Sequence, residues 1–195
     1  MRSTLRLAGL ALALSWFAAA HSPSARIASA APAPKATSAG GSQQLSALQG
    51  CMNQWLFNGI WRVKVVKVAA ITKEGINYPG YAVTFQVRNG SAKTTSMAYT
   101  GVSDGGTLVL DDGNPLSQDT DSTIAWHAYY FKDLPPSSGF TATLNYYLPN
   151  KVDVVPKAQK WLLEADASRV GSSAPHYTTK QPSMRVDLTC DKGSS

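Results

Sequence analysis

Cysteine occurs only twice and histidine only three times in this chain of 195 residues. Two cysteines are too few for a disulfide-dense miniprotein or for a multi-cysteine zinc or iron–sulfur framework. So few imidazoles leave few general-base arrangements open. Charged residues make up 15% of the chain, and no run of Lys and Arg is interleaved with aromatics, so nucleic acid is not an expected partner. No apolar run reaches the about 20 residues of a bilayer span, so no stable membrane anchor is expected. Long amphipathic helical periods are missing as well. The hydrophobic fraction is nevertheless 44%, enough to build a core and to exclude a wholly disordered chain.

Residues 1–30 read as an export signal. Arg2 and Arg6 flank the start of an apolar run from Leu7 to Ala20, broken only by Gly9 and Ser15. That is a positive n-region followed by an h-region. Two small-x-small exits follow, so cleavage is expected after Ala20 or after Ala30, and the mature protein is expected to be secreted or periplasmic. Removing residues 1–30 takes away Arg2, Arg6 and Arg26 and no acid, which lowers the formal charge from +6 to +3. Leu48-Gln49-Gly50-Cys51 superficially resembles a lipobox. A lipobox cysteine directly follows the h-region, however, and here a Pro/Ser/Ala/Lys stretch intervenes. Residues 31–50 are a flexible linker whose Pro/Ala/Gly/Ser composition has nothing to bury, with a short helical turn allowed at Gln43–Gln49.

Strand signals begin at Cys51 and define a domain over residues 51–190, with a tail at 191–195. Asn58-Gly59 between aromatic and β-branched residues predicts a two-residue hairpin. Trp61, Val63 and Val65 then alternate with Arg62 and Lys64, and Val66 and Val68 reverse the phase, which predicts a bulge near Val65 or Val66. Lys64 and Lys67 read as the solvent side of that strand. Tyr81, Val83, Phe85 and Val87 alternate with polar or small residues, as in a half-buried antiparallel strand. Further strands are expected at Thr94–Tyr99, Thr107–Leu110, Ile124–Phe131, Phe140–Tyr147, Lys160–Glu164 and Met184–Thr189. Short strands punctuated by Gly, Pro, Asn and Asp argue an all-β, antiparallel β-sandwich. Cys51 precedes the first hairpin and Cys190 closes the last strand. As the only cysteines of an exported chain, they are expected to form a disulfide tying the two ends of the domain.

The order of features resembles the immunoglobulin-like domain of unknown function found in exported bacterial proteins and lipoproteins, a sandwich shared by a secreted mycobacterial antigen. The resemblance rests on three stretches. The first is Trp61-Arg62-Val63-Lys64-Val65-Val66-Lys67-Val68, and the second is Gly80–Val87 running into Arg88-Asn89-Gly90. The third is Leu134-Pro135-Pro136-Ser137-Ser138-Gly139 before Phe140–Tyr147 and Leu148-Pro149. It covers roughly residues 55–166, and the Trp55-containing hairpin, the Ala167–Ser183 segment and the last strand with Cys190 depart from the family's pattern. It implies an immunoglobulin-like β-sandwich acting as a secreted binding or structural module, with no shared catalytic residues.

Several residues could carry chemistry. The acidic loop from Asp111 to Asp121 (Asp111, Asp112, Asn114, Asp119, Asp121) offers oxygens for calcium. It lacks the acid spacing of an EF-hand, and the same residues suit a surface turn. Met52, Met97, Met184, His127 and His176 are soft or imidazole ligands of the kind copper takes, but they form no short motif. No cofactor is otherwise expected. His127 and His176 do not sit beside a Gly-x-Ser-x-Gly elbow. In an extended chain, Asp111 and Asp112 would point to opposite faces and could not act as paired carboxylates. Trp126, Ala128 and Tyr130 would share one face of a strand, and His127, Tyr129 and Phe131 the other. One aromatic set should therefore be partly exposed.

Three functions follow. The leading one is a secreted, non-catalytic binding or structural module acting on an extracellular protein. The second is a carbohydrate-binding domain using exposed aromatics, with Trp126, Tyr129, Phe131 and Tyr147 as candidates. The third is a hydrolase, for which a pocket converging on His127 or His176 with an acid would speak.

Overall fold

A computed structural model describes residues 47–191. The export segment, linker residues 31–46 and the tail beyond Asp191 lie outside the described residues. Among the described residues nine strands and one α-helix follow in order: β1 (Leu48–Met52), β2 (Leu56–Phe57), β3 (Trp61–Lys73), β4 (Tyr78–Asn89), β5 (Thr107–Leu110), β6 (Pro115–Ser117), α1 (Thr120–Tyr130), β7 (Gly139–Tyr147), β8 (Ala158–Leu163) and β9 (Met184–Asp191). They form two sheets, a four-stranded one ordered β2-β3-β4-β7 and a five-stranded one ordered β1-β9-β8-β5-β6.

Alternation decides which side chains enter the space between the sheets. Trp61, Val63 and Val65 of β3, Val83, Phe85 and Val87 of β4, and Leu144 and Tyr146 of β7 are all fully buried. The β3–β4 register shifts between Val65 and Lys67, the bulge expected from the phase reversal. From the other sheet come Leu108, Trp161 and Val186, also fully buried. Two of the buried indoles find hydrogen-bond partners across the core. Trp161 Nε1 donates to the Tyr146 hydroxyl at 2.8 Å, and that hydroxyl donates to the Gly106 carbonyl at 3.2 Å. Trp61 Nε1 donates to Thr100 Oγ1 at 2.8 Å. The two indoles are thus anchored at their polar ends as well as packed.

Cys51 and Cys190 are disulfide-bonded, with Cα atoms 5.1 Å apart. The bond joins neighbouring strands β1 and β9 and leaves no thiol at Cys51 for lipidation.

The structure corrects the sequence reading in five places. Leu48–Gly50, assigned to the linker, begin β1, and β1 pairs with β9 in parallel, so the sandwich is not wholly antiparallel. The first hairpin turns one residue later than expected. Asn58 N donates to Trp61 O at 3.2 Å, which makes Gly59-Ile60 the tip, and of the two Asn-Gly residues only Gly59 has positive φ, at 102°. A Cβ at Gly59 would lie 2.4 Å from Thr178 N, so the close approach also demands glycine. Asn58 points inward instead, accepting from Ile60 N and Trp61 N and donating to Pro182 O.

Thr94–Tyr99 is not a strand. Only Thr95 pairs, in an isolated bridge to Leu134, and a 3-10 turn follows at Ala98–Thr100. Ile124–Phe131, expected to be extended, belongs to α1 and its C-cap. The expected two-sided division of its aromatics falls with the strand. Ser122, Trp126 and Tyr130 are buried at helical spacing, and Ile124 and Phe131 face out. Asp119 caps the helix by accepting from Asp121 N, and Asn145 of the edge strand β7 donates to Ser122 Oγ at 2.9 Å.

Candidate functional site

The outer face of the four-stranded sheet collects charge of one sign. Register across the sheet aligns Phe57, Arg62, Arg88 and Gly139 in one row. The next row is Lys64, Gln86 and Thr141, and beyond the bulge Lys67, Thr84 and Thr143 form a third. Strands β2, β3, β4 and β7 contain Arg62, Lys64, Lys67, Lys73 and Arg88 and no aspartate or glutamate. Lys73 is paired with Asp119, which raises the ammonium pKa chiefly through that hydrogen bond. Among the described residues the only other ion pair is His127–Asp104. Among the described residues Arg62, Lys64, Lys67 and Arg88 therefore have no carboxylate partner. Placing Arg62 directly opposite Arg88 is unfavourable unless something else stabilises the cations.

Aromatic rings supply part of that stabilisation. The Arg62 guanidinium lies 4.3 Å from the Phe57 ring centre, and Lys64 Nζ and the Arg88 guanidinium lie 4.9 and 5.1 Å from the Trp55 ring. Cations over ring faces are attracted by the ring quadrupole and keep their charge available outward. At the β7 edge of this face is an open cleft of about 430 Å³, lined by Gln86, Arg88, Ser137, Gly139, Phe140 and Thr141. Its walls offer an amide, a guanidinium and hydroxyls. In sequence Lys64 and Lys67 are ordinary solvent-side strand residues, and Trp55, Arg62 and Arg88 stand in strand and turn patterns with no binding role attached. A signal was present, since the stretches that form these four strands contain no acid, but only strand pairing brings the cations to one face.

The aromatics singled out from sequence do not form one platform. Trp126 is 1% exposed, packed against Phe85 and Tyr130, and its Nε1 has no hydrogen-bond partner. Tyr129 is stacked on Phe140 with ring centres 4.6 Å apart. Phe131 is 61% exposed, with its ring 5.3 Å from that of His127. Tyr147 is half-buried beneath Lys73, whose Nζ is 5.1 Å from the ring centre.

His127 Nε2 is 2.7 Å from Asp104 Oδ2, in an exposed pair. That is a base with an acid to orient it, but no serine or cysteine is hydrogen-bonded to the ring among the described residues. In the acidic loop, Asp111 Oδ1 accepts from Lys157 N, and Asp112 accepts from Asn114 N and Nδ2. Asp119 is the helix cap already described. Among the described residues no three His, Cys, Asp or Glu side chains converge as a metal site. Of the five residues considered for copper, Met97 and Met184 are core residues at 0% and 2% exposure.

No protein-family model and no curated protein sequence matches the chain. Solved structures do. A secreted protein of Mycobacterium tuberculosis, MPT63, aligns over 74% of this chain and 99% of its own at 9% identity, with a TM-score of 0.45. The YjhA protein of Bacillus subtilis aligns over 71% and 98% at 13% identity, with a TM-score of 0.46. An uncharacterized β-sandwich protein of Clostridium difficile aligns over 77% and 99% at 7% identity, with a TM-score of 0.43. The chain resembles bacterial β-sandwich proteins. The resemblance is one of fold, and residues 55–166 carry it in the sequence.

Proposed function

We propose that this domain is a non-catalytic binding module that works outside the cytoplasm, through the outer face of its four-stranded sheet. One observation carries the reading: Arg62, Lys64, Lys67 and Arg88 share that face with no acidic residue on any of its strands. Unneutralised like charges work against folding and make sense where a partner supplies the opposite sign. The export-signal pattern of residues 1–30 and the Cys51–Cys190 disulfide support an extracytoplasmic setting. No helix among the described residues is long and apolar enough to cross a membrane. The hydrolase reading has the His127–Asp104 pair in its favour and lacks a nucleophile bonded to it, so binding is the better reading.

Co-sedimentation of the mature protein with isolated cell envelopes of the producing organism tests this function. Binding that weakens as salt rises, and that the Arg62→Glu/Arg88→Glu variant loses, is the expected result. Envelope binding indifferent to both salt and the charge reversal would overturn the assignment of this face.

A further inference from the structure

We infer that the partner of this face is an acidic polysaccharide, a chain of sugars carrying carboxylate, sulfate or phosphodiester groups. The inference rests on the binding-module reading above and specifies its ligand. Three features of the face point to this chemistry.

The first is the layout of charge. Outward positions along one strand recur about every 7 Å, and neighbouring strands lie about 5 Å apart. Arg62, Lys64 and Lys67 follow one strand, and Arg88 stands beside Arg62 on the next. Cations laid out as a strip complement a polymer with regularly repeated anions better than a single small anion. Two adjacent guanidiniums add the planar donor geometry that suits carboxylate, sulfate and phosphate oxygens.

The second feature is what lies between and beside the cations. Gln86, Thr84, Thr141 and Thr143 occupy the outward positions next to them, and Thr84 and Thr143 hydroxyls are 2.9 Å apart. Amides and hydroxyls exchange hydrogen bonds with sugar hydroxyls. The cleft beside Arg88, with Gln86, Ser137 and Thr141 on its walls, has room for such a group to leave the plane of the sheet.

The third feature is the scarcity of free apolar surface. Phe57, 38% exposed, is the one large hydrophobic residue of these four strands that is exposed, and its ring carries the Arg62 guanidinium. A protein-binding hot spot is built on aromatic anchors free to enter a partner's pocket. A membrane-surface site needs apolar side chains that enter the lipid. Here Trp55 and Phe57 hold cations in place.

Affinity electrophoresis of the mature protein through gels containing polygalacturonate, with neutral dextran gels as reference, tests the inference. Retardation by polygalacturonate but not dextran is expected, weakening as salt is added. Arg62→Glu/Arg88→Glu should lower the affinity roughly tenfold or more, through loss of two charge-assisted contacts. The charge-matched control Lys132→Glu/Lys151→Glu, at exposed positions off this sheet, should stay within about twofold. Circular dichroism of both variants checks that the sandwich is intact. Gln86→Ala, which leaves the charge untouched, should also weaken retention, as bare charge attraction would not. Several outcomes overturn the polysaccharide: equal affinity for single-stranded DNA, binding to phosphatidylglycerol vesicles in preference to polygalacturonate, or no retardation at all. If envelope co-sedimentation then persists and is abolished by protease treatment of the envelopes, the partner is an acidic protein. In that case the binding-module reading stands without this ligand.

Discussion

Tyr177 shows how much depends on single buried polar groups in a sandwich this small. Its hydroxyl donates to the Thr100 carbonyl at 2.6 Å, and burial pushes the phenol up to about 12 from an ordinary value of 10.0. Thr100 also receives the Trp61 indole on its hydroxyl, so the same residue fastens the Tyr177 segment and the start of β3. A phenol whose folded pKa exceeds its unfolded value contributes its full stability below about pH 10, and that contribution is lost as pH rises toward 12. Two pKa units correspond to at most about 2.7 kcal/mol. Denaturant unfolding measured from pH 9 to pH 12 should therefore show stability falling across this window, with a shallower fall in Tyr177→Phe. Burial also raises the Tyr146 and Tyr130 phenols, and the Asp119 hydrogen bond raises the Lys73 ammonium, so a residual slope at the alkaline end belongs to those residues. Parallel slopes in the two proteins would contradict the role given to Tyr177.

At the scale of elements, α1 is the instructive case. Its buried residues Trp126 and Tyr130 are four apart, a spacing that fits one face of a helix and one face of a strand equally well. What distinguishes the two is the preceding Asp119-Thr120-Asp121-Ser122, a cap with an acid in the first turn. Asp119 has a second task, since its carboxylate also pairs with Lys73 at the end of β3. Asp119→Ala should cost about 1 kcal/mol from the lost cap alone. Part of the helical circular dichroism signal should fray with it, while Lys73→Ala should lower stability less and leave the helix signal intact. An unchanged helix signal in Asp119→Ala would mean that packing of Trp126 and Tyr130 suffices to hold α1.

For the whole molecule, the disulfide and the parallel β1–β9 pairing act together. The bond closes a loop with a sequence separation of 139, next to a ladder in which Leu48 pairs with Met184 and Gly50 with Val186. In the chain-entropy model so long a loop stabilises the fold by roughly 5 kcal/mol, an upper figure. Cys51→Ser/Cys190→Ser should accordingly lose roughly 3–5 kcal/mol in denaturant unfolding, with β1 the first element to lose hydrogen-exchange protection. Full retention of stability would show that the two ends are held by strand pairing alone.

What the sequence by itself determined is the part of the molecule governed by local period. Inward and outward alternation of Trp61–Val65, Val83–Val87 and Ala142–Tyr146 follows from the two-residue repeat of an extended chain, and the bulge after Val65 follows from the break in that repeat. The disulfide was legible too, because two cysteines in an exported chain leave one intramolecular pairing. Tertiary structure decided what local period leaves open. Trp126 and Tyr130 satisfy both periods, and α1 forms where Asn145 of β7 bonds its first turn. Arg62 and Arg88 are distant in sequence, Trp55 lies outside any alternating run, and Gln86 and Thr141 belong to different strands. They meet because backbone hydrogen bonding fixes one register across β2, β3, β4 and β7, and register is a property of pairs of strands that neither strand carries alone.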